Sequence, residues 1–272
     1  MLAGLALVDS ALRGDSSLAE AWTARAILLR FRNPTTYAGV VSAHERAVSL
    51  APNSADAHEA YGVTLMRLGR DVAAEQRLRR ALALEPNRPS ALRDLGELEY
   101  LRRRIASSCA LANASIGADS YDPLAYALRA RVRMQLGEFR DAFSDAETAG
   151  RLSGAPWGQA LQLLVTANGT TVDDARREAK RITTTKLRPG TVMSVSEGTF
   201  TSLALDAFGD RENALAALTH VEPIGVEFAA ALRDPAFDDM RRDPRFRRVT
   251  SRETQVRPEV GPQPGMAKTR KR

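Results

Sequence analysis

Cysteine and histidine are almost absent from this chain. Cys109 is the single cysteine among 272 residues, so neither an intrachain disulfide nor a cysteine-ligated zinc site can form, and the redox compartment stays open. The histidines are His44, His58 and His220, and none falls in His-Glu-x-x-His or another metal-ligand spacing. No metal and no cofactor is predicted. Aromatic residues make up 6% of the chain, so small side chains must carry much of the packing. No apolar run approaches the ~20 residues of a membrane span. The apolar start, Met1 to Val8, lacks the basic flank of a secretory signal. A soluble, cytoplasmic chain is the expectation. Lysine is scarce beside arginine, which reads as the codon usage of a GC-rich bacterial genome and carries nothing about function.

Concentrated charge is also missing. The formal charge is +6, but residues 251–272 alone carry Arg252, Arg257, Lys268, Arg270, Lys271 and Arg272 against Glu253 and Glu259. Residues 1–250 are close to neutral and mix both signs, whereas a phosphate-binding face needs basic side chains gathered together. Nucleic-acid binding is disfavoured for the body, and weak binding through the tail stays open as an alternative. The proline- and glycine-containing stretch Gln255–Arg272 is expected to be a disordered basic tail.

Catalytic signatures are lacking as well. There is no Gly-x-Ser-x-Gly elbow, no phosphate loop, no His-Arg-Asp loop and no Asp-Phe-Gly. His58 and His44 sit where packing side chains are expected, and His220 near a helix end. Cys109 falls inside a predicted helix, where a small buried thiol is the ordinary role. Asp173-Asp174 and Asp238-Asp239 lie at expected helix starts, where they complement the dipole. No catalytic residue is assigned, although an enzyme with an unrecognised site remains an alternative.

What the sequence does have is a period. Gly62 and Gly96 stand thirty-four residues apart, and Ala130 follows at the same interval. Ala55, Pro89 and Pro123 open three units in that register, and Gly69 and Gly137 mark turns. Between Ala55 and Pro86, Tyr61, Leu65 and Leu68 form one helical stripe. Ala74, Leu78, Ala81 and Leu82 form the stripe of a second helix, with small residues that allow close approach. Neither helix can bury its stripe alone, so each hairpin must stack on the next.

These residues resemble the tetratricopeptide repeat family, most clearly over Ala55–Pro86, with Trp22, Leu95-Gly96 and the Ala130–Ala149 register extending the match. The resemblance implies an all-α, right-handed superhelical solenoid of antiparallel helix pairs. The expected organisation is a second helix of an incomplete preceding repeat over 1–18, four repeat units over 19–154, two degenerate units over 155–222, capping helices over 223–250 and the tail over 251–272. Ser108, Ala112 and Ser115 replace the usual second-helix residues, so the helix around them is expected to pack less tightly. Ala175, Ala179 and Ile182, then Gly209, Ala214 and Leu218, read as second-helix fragments, with Lys186–Gly190 an insertion between them. Over residues 4–12 a stripe of Leu5, Val8 and Leu12 lacks its partner first helix, which predicts missing upstream sequence, fraying or a dimer through this helix.

Asp234-Pro-Ala-Phe237 and Asp243-Pro-Arg-Phe246 form a doublet in which each Asp can cap a short helix and each Phe can dock on the last repeat. This doublet resembles the closing segment of repeat regions attached to bacterial serine/threonine protein kinases. By resemblance, the first helices line a concave face where an extended peptide or partner helix lies. The positions transferred are Thr23, Ile27, Arg30, Glu59, Val63, Met66, Arg93, Glu97, Tyr100, Arg131 and Met134. Family members that grip a carboxylate terminus use asparagine and lysine there, and these positions offer neither. The implied function is a non-catalytic protein–protein interaction scaffold, a regulatory module of a signalling protein, whose protein or peptide partner the sequence does not name.

Overall fold

The computed structural model describes residues 2–32, 37, 39–169, 177, 181, 187, 191–222 and 225–250. The expected fragments at Ala175, Ala179 and Ile182, the insertion at Lys186–Gly190 apart from Leu187, and the basic tail lie outside the described residues. The chain is an all-α, right-handed solenoid of antiparallel helix pairs. Its helices are α1 (Leu2–Gly14), α2 (Ala19–Arg32), α3 (Val40–Leu50), α4 (Ala55–Arg67), α5 (Asp71–Leu84), α6 (Pro89–Leu101) and α7 (Ile105–Ala118). They continue as α8 (Pro123–Leu136), α9 (Phe139–Ser153), α10 (Pro156–Gly169), α11 (Val195–Ala207), α12 (Arg211–Thr219), α13 (Val226–Ala231) and α14 (Pro244–Thr250). Short 3-10 turns at Pro235–Phe237 and Met240–Arg242 join the last two. Among the described residues the only extended pairing is an isolated bridge between Met193 and Val221, and no helix is long and apolar enough to cross a membrane.

Local chemistry explains each hairpin. The Ser54 hydroxyl accepts the Ala57 N–H at 3.2 Å to open α4, and Asp122 does the same for α8 through the Leu124 N–H at 2.9 Å, ahead of Pro123. Ala74, Leu78 and Ala81 of α5 are fully buried, and burial of a side chain such as Leu78 contributes about 1.5–3 kcal/mol. The approach is closest at Gly62, where a Cβ would lie 2.8 Å from Leu78 Cγ and 3.3 Å from the Ala74 carbonyl. Glycine is required there to bring the two backbones together. The turn after each first helix needs a left-handed residue, and Gly69 (φ 72°) and Gly137 (φ 78°) supply it. Arg103 occupies the same position one period along, at φ 61°.

Two expectations about packing are corrected. Ser108 and Ser115 are not loose replacements: both are buried, the Ser108 hydroxyl donating to the Gly96 carbonyl at 2.8 Å and the Ser115 hydroxyl to Pro89 at 2.9 Å. A hydroxyl that finds a carbonyl across the hairpin replaces lost apolar contact with a hydrogen bond. The stripe of α1 is covered in part, with Val8 and Leu12 half-buried. Leu5 is buried as α1 packs on α2, and Asp9 accepts a hydrogen bond from Arg25 at 2.8 Å. Leu7, outside that stripe, is exposed.

The Asp-Pro-x-Phe doublet folds as its chemistry dictates. Asp234 accepts the Ala236 N–H at 2.9 Å and Asp243 the Arg245 N–H at 2.9 Å. Phe237 and Phe246 are buried in the core cluster of α8–α12, their ring centroids 5.9 Å apart.

Candidate functional site

The concave side of the superhelix encloses a cup of about 760 Å³, within the ~300–1,000 Å³ range of ligand cavities. Its construction follows from the repeat. Every first helix points the same way, so their N-terminal turns gather at one end of the cup and their last turns at the other. Glu20, Asp56, Leu124, Trp157 and Ser196 form the rim, and each is the second residue of its helix: α2, α4, α8, α10 and α11. Arg30, Met66, Arg67, Leu101 and Arg131 stand at the other end.

That second end is closed by the chain itself. The segment from Val226 to Asp238 crosses the last turns of the first helices and places Ala230, Ala231 and Asp234 in the cup lining. Val226 buries beside Ala26, Tyr37, Val40 and Ala43 of the N-terminal hairpin. Glu227 accepts the Tyr37 hydroxyl at 2.6 Å and pairs with Arg30 at 3.4 Å and Arg67 at 3.2 Å. Arg233 donates to the Met66 carbonyl at 2.7 Å and to both oxygens of Asp71. Asp234 accepts the Tyr100 hydroxyl at 3.0 Å and two bonds from Arg131. Asp238 pairs with Arg103.

The wall formed by α4, α6 and α8 is an ion network. Arg88 binds Asp56, Glu59 and Glu85; Arg93 binds Asp94 and Asp122; Arg131 binds Glu97 and Asp234. Burial works to raise the Asp94 carboxyl, and Arg93 only partly opposes it. For Glu97, burial pushes up but the adjacent Arg131, joined by Arg67 and Arg93, outweighs it and holds the carboxyl below its usual range. Burial and the charge of Asp234 raise the Tyr100 hydroxyl far above an ordinary tyrosine, so it stays a donor.

The transferred concave-face positions therefore divide. Thr23, Ile27, Glu59, Val63, Arg93 and Glu97 line the cup and stay partly accessible. Met66 and Tyr100 are 1% exposed: Asp234 of the Val226–Asp238 crossing caps the Tyr100 hydroxyl, and Met66 belongs to the core cluster with Leu65, Leu95 and Leu98. Arg30 and Arg131 are committed to Glu227 and Asp234. Met134 packs against the core of the last repeats. The sequence reading missed Glu20, Asp56, Leu124, Trp157 and Phe200 as lining residues. A signal existed for Asp56 and Leu124, one residue after the period-marked helix starts Ala55 and Pro123.

Elsewhere, His44 is fully buried and stacked on Tyr61 with centroids 5.3 Å apart. His58 Nε2 lies 3.0 Å from the Pro52 carbonyl, and His220 Nδ1 lies 2.9 Å from that of Thr191. Among the described residues no group of histidine, cysteine and carboxylate side chains could hold a metal ion.

No family model and no curated protein matches this chain. Solved structures do. One is PilW, a widely conserved type IV pilus biogenesis factor, at 20% identity and TM-score 0.58, covering 66% of this chain and 83% of that one. The fold is a tetratricopeptide-type solenoid. A second is Pseudomonas aeruginosa PilF, at 18% identity and TM-score 0.54, covering 75% and 90%. The Cut9–Hcn1 hetero-tetramer of APC/C gives TM-score 0.63 at 13% identity, over 90% of this chain and 44% of that one.

Proposed function

We propose that this protein is a non-catalytic interaction scaffold that receives a peptide segment of a partner protein in the cup. The observation that carries the reading is the cup itself, a preformed cavity of about 760 Å³ lined by the first helices. Partly apolar lining at Ile27, Val63, Leu124, Trp157 and Phe200 supplies contact area. The arginines Arg88, Arg93 and Arg131 of the α6–α8 wall are held by carboxylates, which fixes the shape of the wall. PilW is a pilus biogenesis factor and Cut9 is part of a hetero-tetramer. Both accord with a role in assembly.

The Asp-Pro-x-Phe doublet supports a finer version: a regulatory module of a kinase-type signalling protein, working in the cytoplasm. Self-association through α1, where Leu7 is exposed, belongs to the same proposal and is read by sedimentation of Leu7→Glu against the parent. The cup is tested with the full chain and a panel of short fluorescent peptides spanning basic, acidic and neutral apolar compositions. Ala60 lines the cup, and Ala60→Trp fills it from the α4 wall. Peptides bound by the parent and lost from Ala60→Trp are expected. Peptide binding that Ala60→Trp leaves unchanged, or no binding by any peptide, contradicts the reading.

A further inference from the structure

We infer that the cup takes a basic segment of a partner protein, one that ends or turns back inside it. The inference rests on the interaction reading above and adds the ligand's charge and its mode of entry.

The mode of entry follows from the floor. A superhelical groove open at both ends lets an extended peptide run through. Here the crossing at Ala230, Ala231 and Asp234 closes one end, tied to α2, Tyr37, α4 and α5 through Glu227 and Arg233 and to α6 and α8 through Asp234. A ligand must come in past the rim and stop. That admits a chain terminus, a loop tip or a long side chain, and excludes a through-running strand.

The charge follows from the pairing. On the α4–α8 wall three arginines are each shared by two or three carboxylates: Arg88 by Asp56, Glu59 and Glu85, Arg93 by Asp94 and Asp122, Arg131 by Glu97 and Asp234, while Arg67 and its neighbour Arg30 divide Glu227 between them. Arg88, Arg93 and Arg131 are fully matched, and the carboxylates of the wall outnumber its arginines even with Arg67 included. Nearer the mouth, Asp56 is 74% exposed and Glu20 adds a further carboxylate on α2. A low-dielectric cup focuses such an excess, attracting cations and repelling acidic ligands. Along the curved row the rim then changes character, from Glu20 and Asp56 on α2 and α4 to Leu124 and Trp157 on α8 and α10. Trp157 is partly exposed and offers an aromatic face on which an arginine or lysine can sit. Acid on one side and an apolar, aromatic surface on the other fit a segment that pairs basic with apolar residues.

The test uses the full chain and three fluorescein-labelled short peptides of equal length, Arg/Leu, Glu/Leu and Ser/Leu, followed by polarisation at low and high salt. Tightest binding by the Arg/Leu peptide, weakened at least tenfold by salt or by the double reversal Glu20→Lys with Asp56→Lys, is expected. Equal binding of the Glu/Leu peptide, or a reversal without effect, overturns the charge assignment. Both substitutions lie at helix N-termini, so helicity and thermal midpoint are read in parallel, and Glu20→Gln with Asp56→Asn must give a smaller loss of the same sign. A neutral or acidic peptide that binds and is expelled by Ala60→Trp overturns the basic preference alone, leaving the interaction role intact. Binding of the Arg/Leu peptide only after Lys268, Arg270, Lys271 and Arg272 are changed to glutamine makes the chain's own tail the occupant and overturns the partner assignment.

Discussion

The Tyr37 hydroxyl donates to Glu227 at 2.6 Å across 190 positions of sequence, joining the first complete hairpin to the segment that follows the last. The tyrosine is buried, and burial together with the Glu227 charge pushes its hydroxyl well above the ordinary tyrosine range. It remains a neutral donor at every working pH. Tyr37→Phe is expected to lower stability by about 1.5–3 kcal/mol, the scale of a hydrogen bond to a charged acceptor, with Glu227 still held by Arg30 and Arg67. A urea midpoint equal to that of the parent would show that this contact contributes nothing.

His44 predicts a pH dependence. It has 0% exposure, its Nε2 lies 2.9 Å from the Thr64 hydroxyl, and its Nδ1 has no partner. Burial, aided by the charge of Arg30, lowers its pKa from 6.5 to about 3. The folded state therefore keeps a neutral ring while the unfolded chain takes up a proton, and stability falls as pH drops below 6.5 until the folded ring titrates near 3. Between pH 7 and pH 5 this group alone costs about 2 kcal/mol. His44→Gln is expected to remove that part of the slope, measured as the difference between parent and variant urea midpoints at the two pH values. Parallel pH profiles would contradict the assignment.

Two glycines separate close approach from mere occupancy. A Cβ at Gly158 of α10 would fall on the Cα of Gly150 in α9, whereas one at Gly117 in α7 meets nothing within 4 Å. Gly158→Ala must push two backbones apart, at a cost of about 1–3 kcal/mol. Gly117→Ala gains up to about 1 kcal/mol of helix propensity. Thermal midpoints moving in opposite directions are expected, and two midpoints that both rise would place α9 and α10 further apart than described.

The hairpins from Ala55 to Ser153 were legible because each repeats the same local instructions: a cap or proline, a stripe of small and large apolar residues, and a left-handed turn. Arg103 shows the limit of such reading, since the period and not the residue type dictates its positive φ. The closed floor of the cup was not legible. Glu227, Arg233 and Asp234 find partners more than a hundred residues away, and a single ion pair between distant segments leaves no periodic trace. Position on a first helix places Glu59, Val63 and Glu97 at the cup but could not tell that Tyr100 is covered, because the covering segment belongs to another part of the chain.

The closed cup depends most directly on Arg131 and Asp234, whose side chains are 11% and 8% exposed and joined at 2.8 Å. A double-mutant cycle in urea, combining Arg131→Ala and Asp234→Ala, measures that link without assuming the value of either residue alone. Each single substitution is expected to cost about 3 kcal/mol, since it leaves its partner buried and uncompensated. The double variant is expected to lose about 2 kcal/mol less than the two added together. Losses that add to within about 0.5 kcal/mol would mean that the two residues do not meet in solution and that the floor of the cup is open.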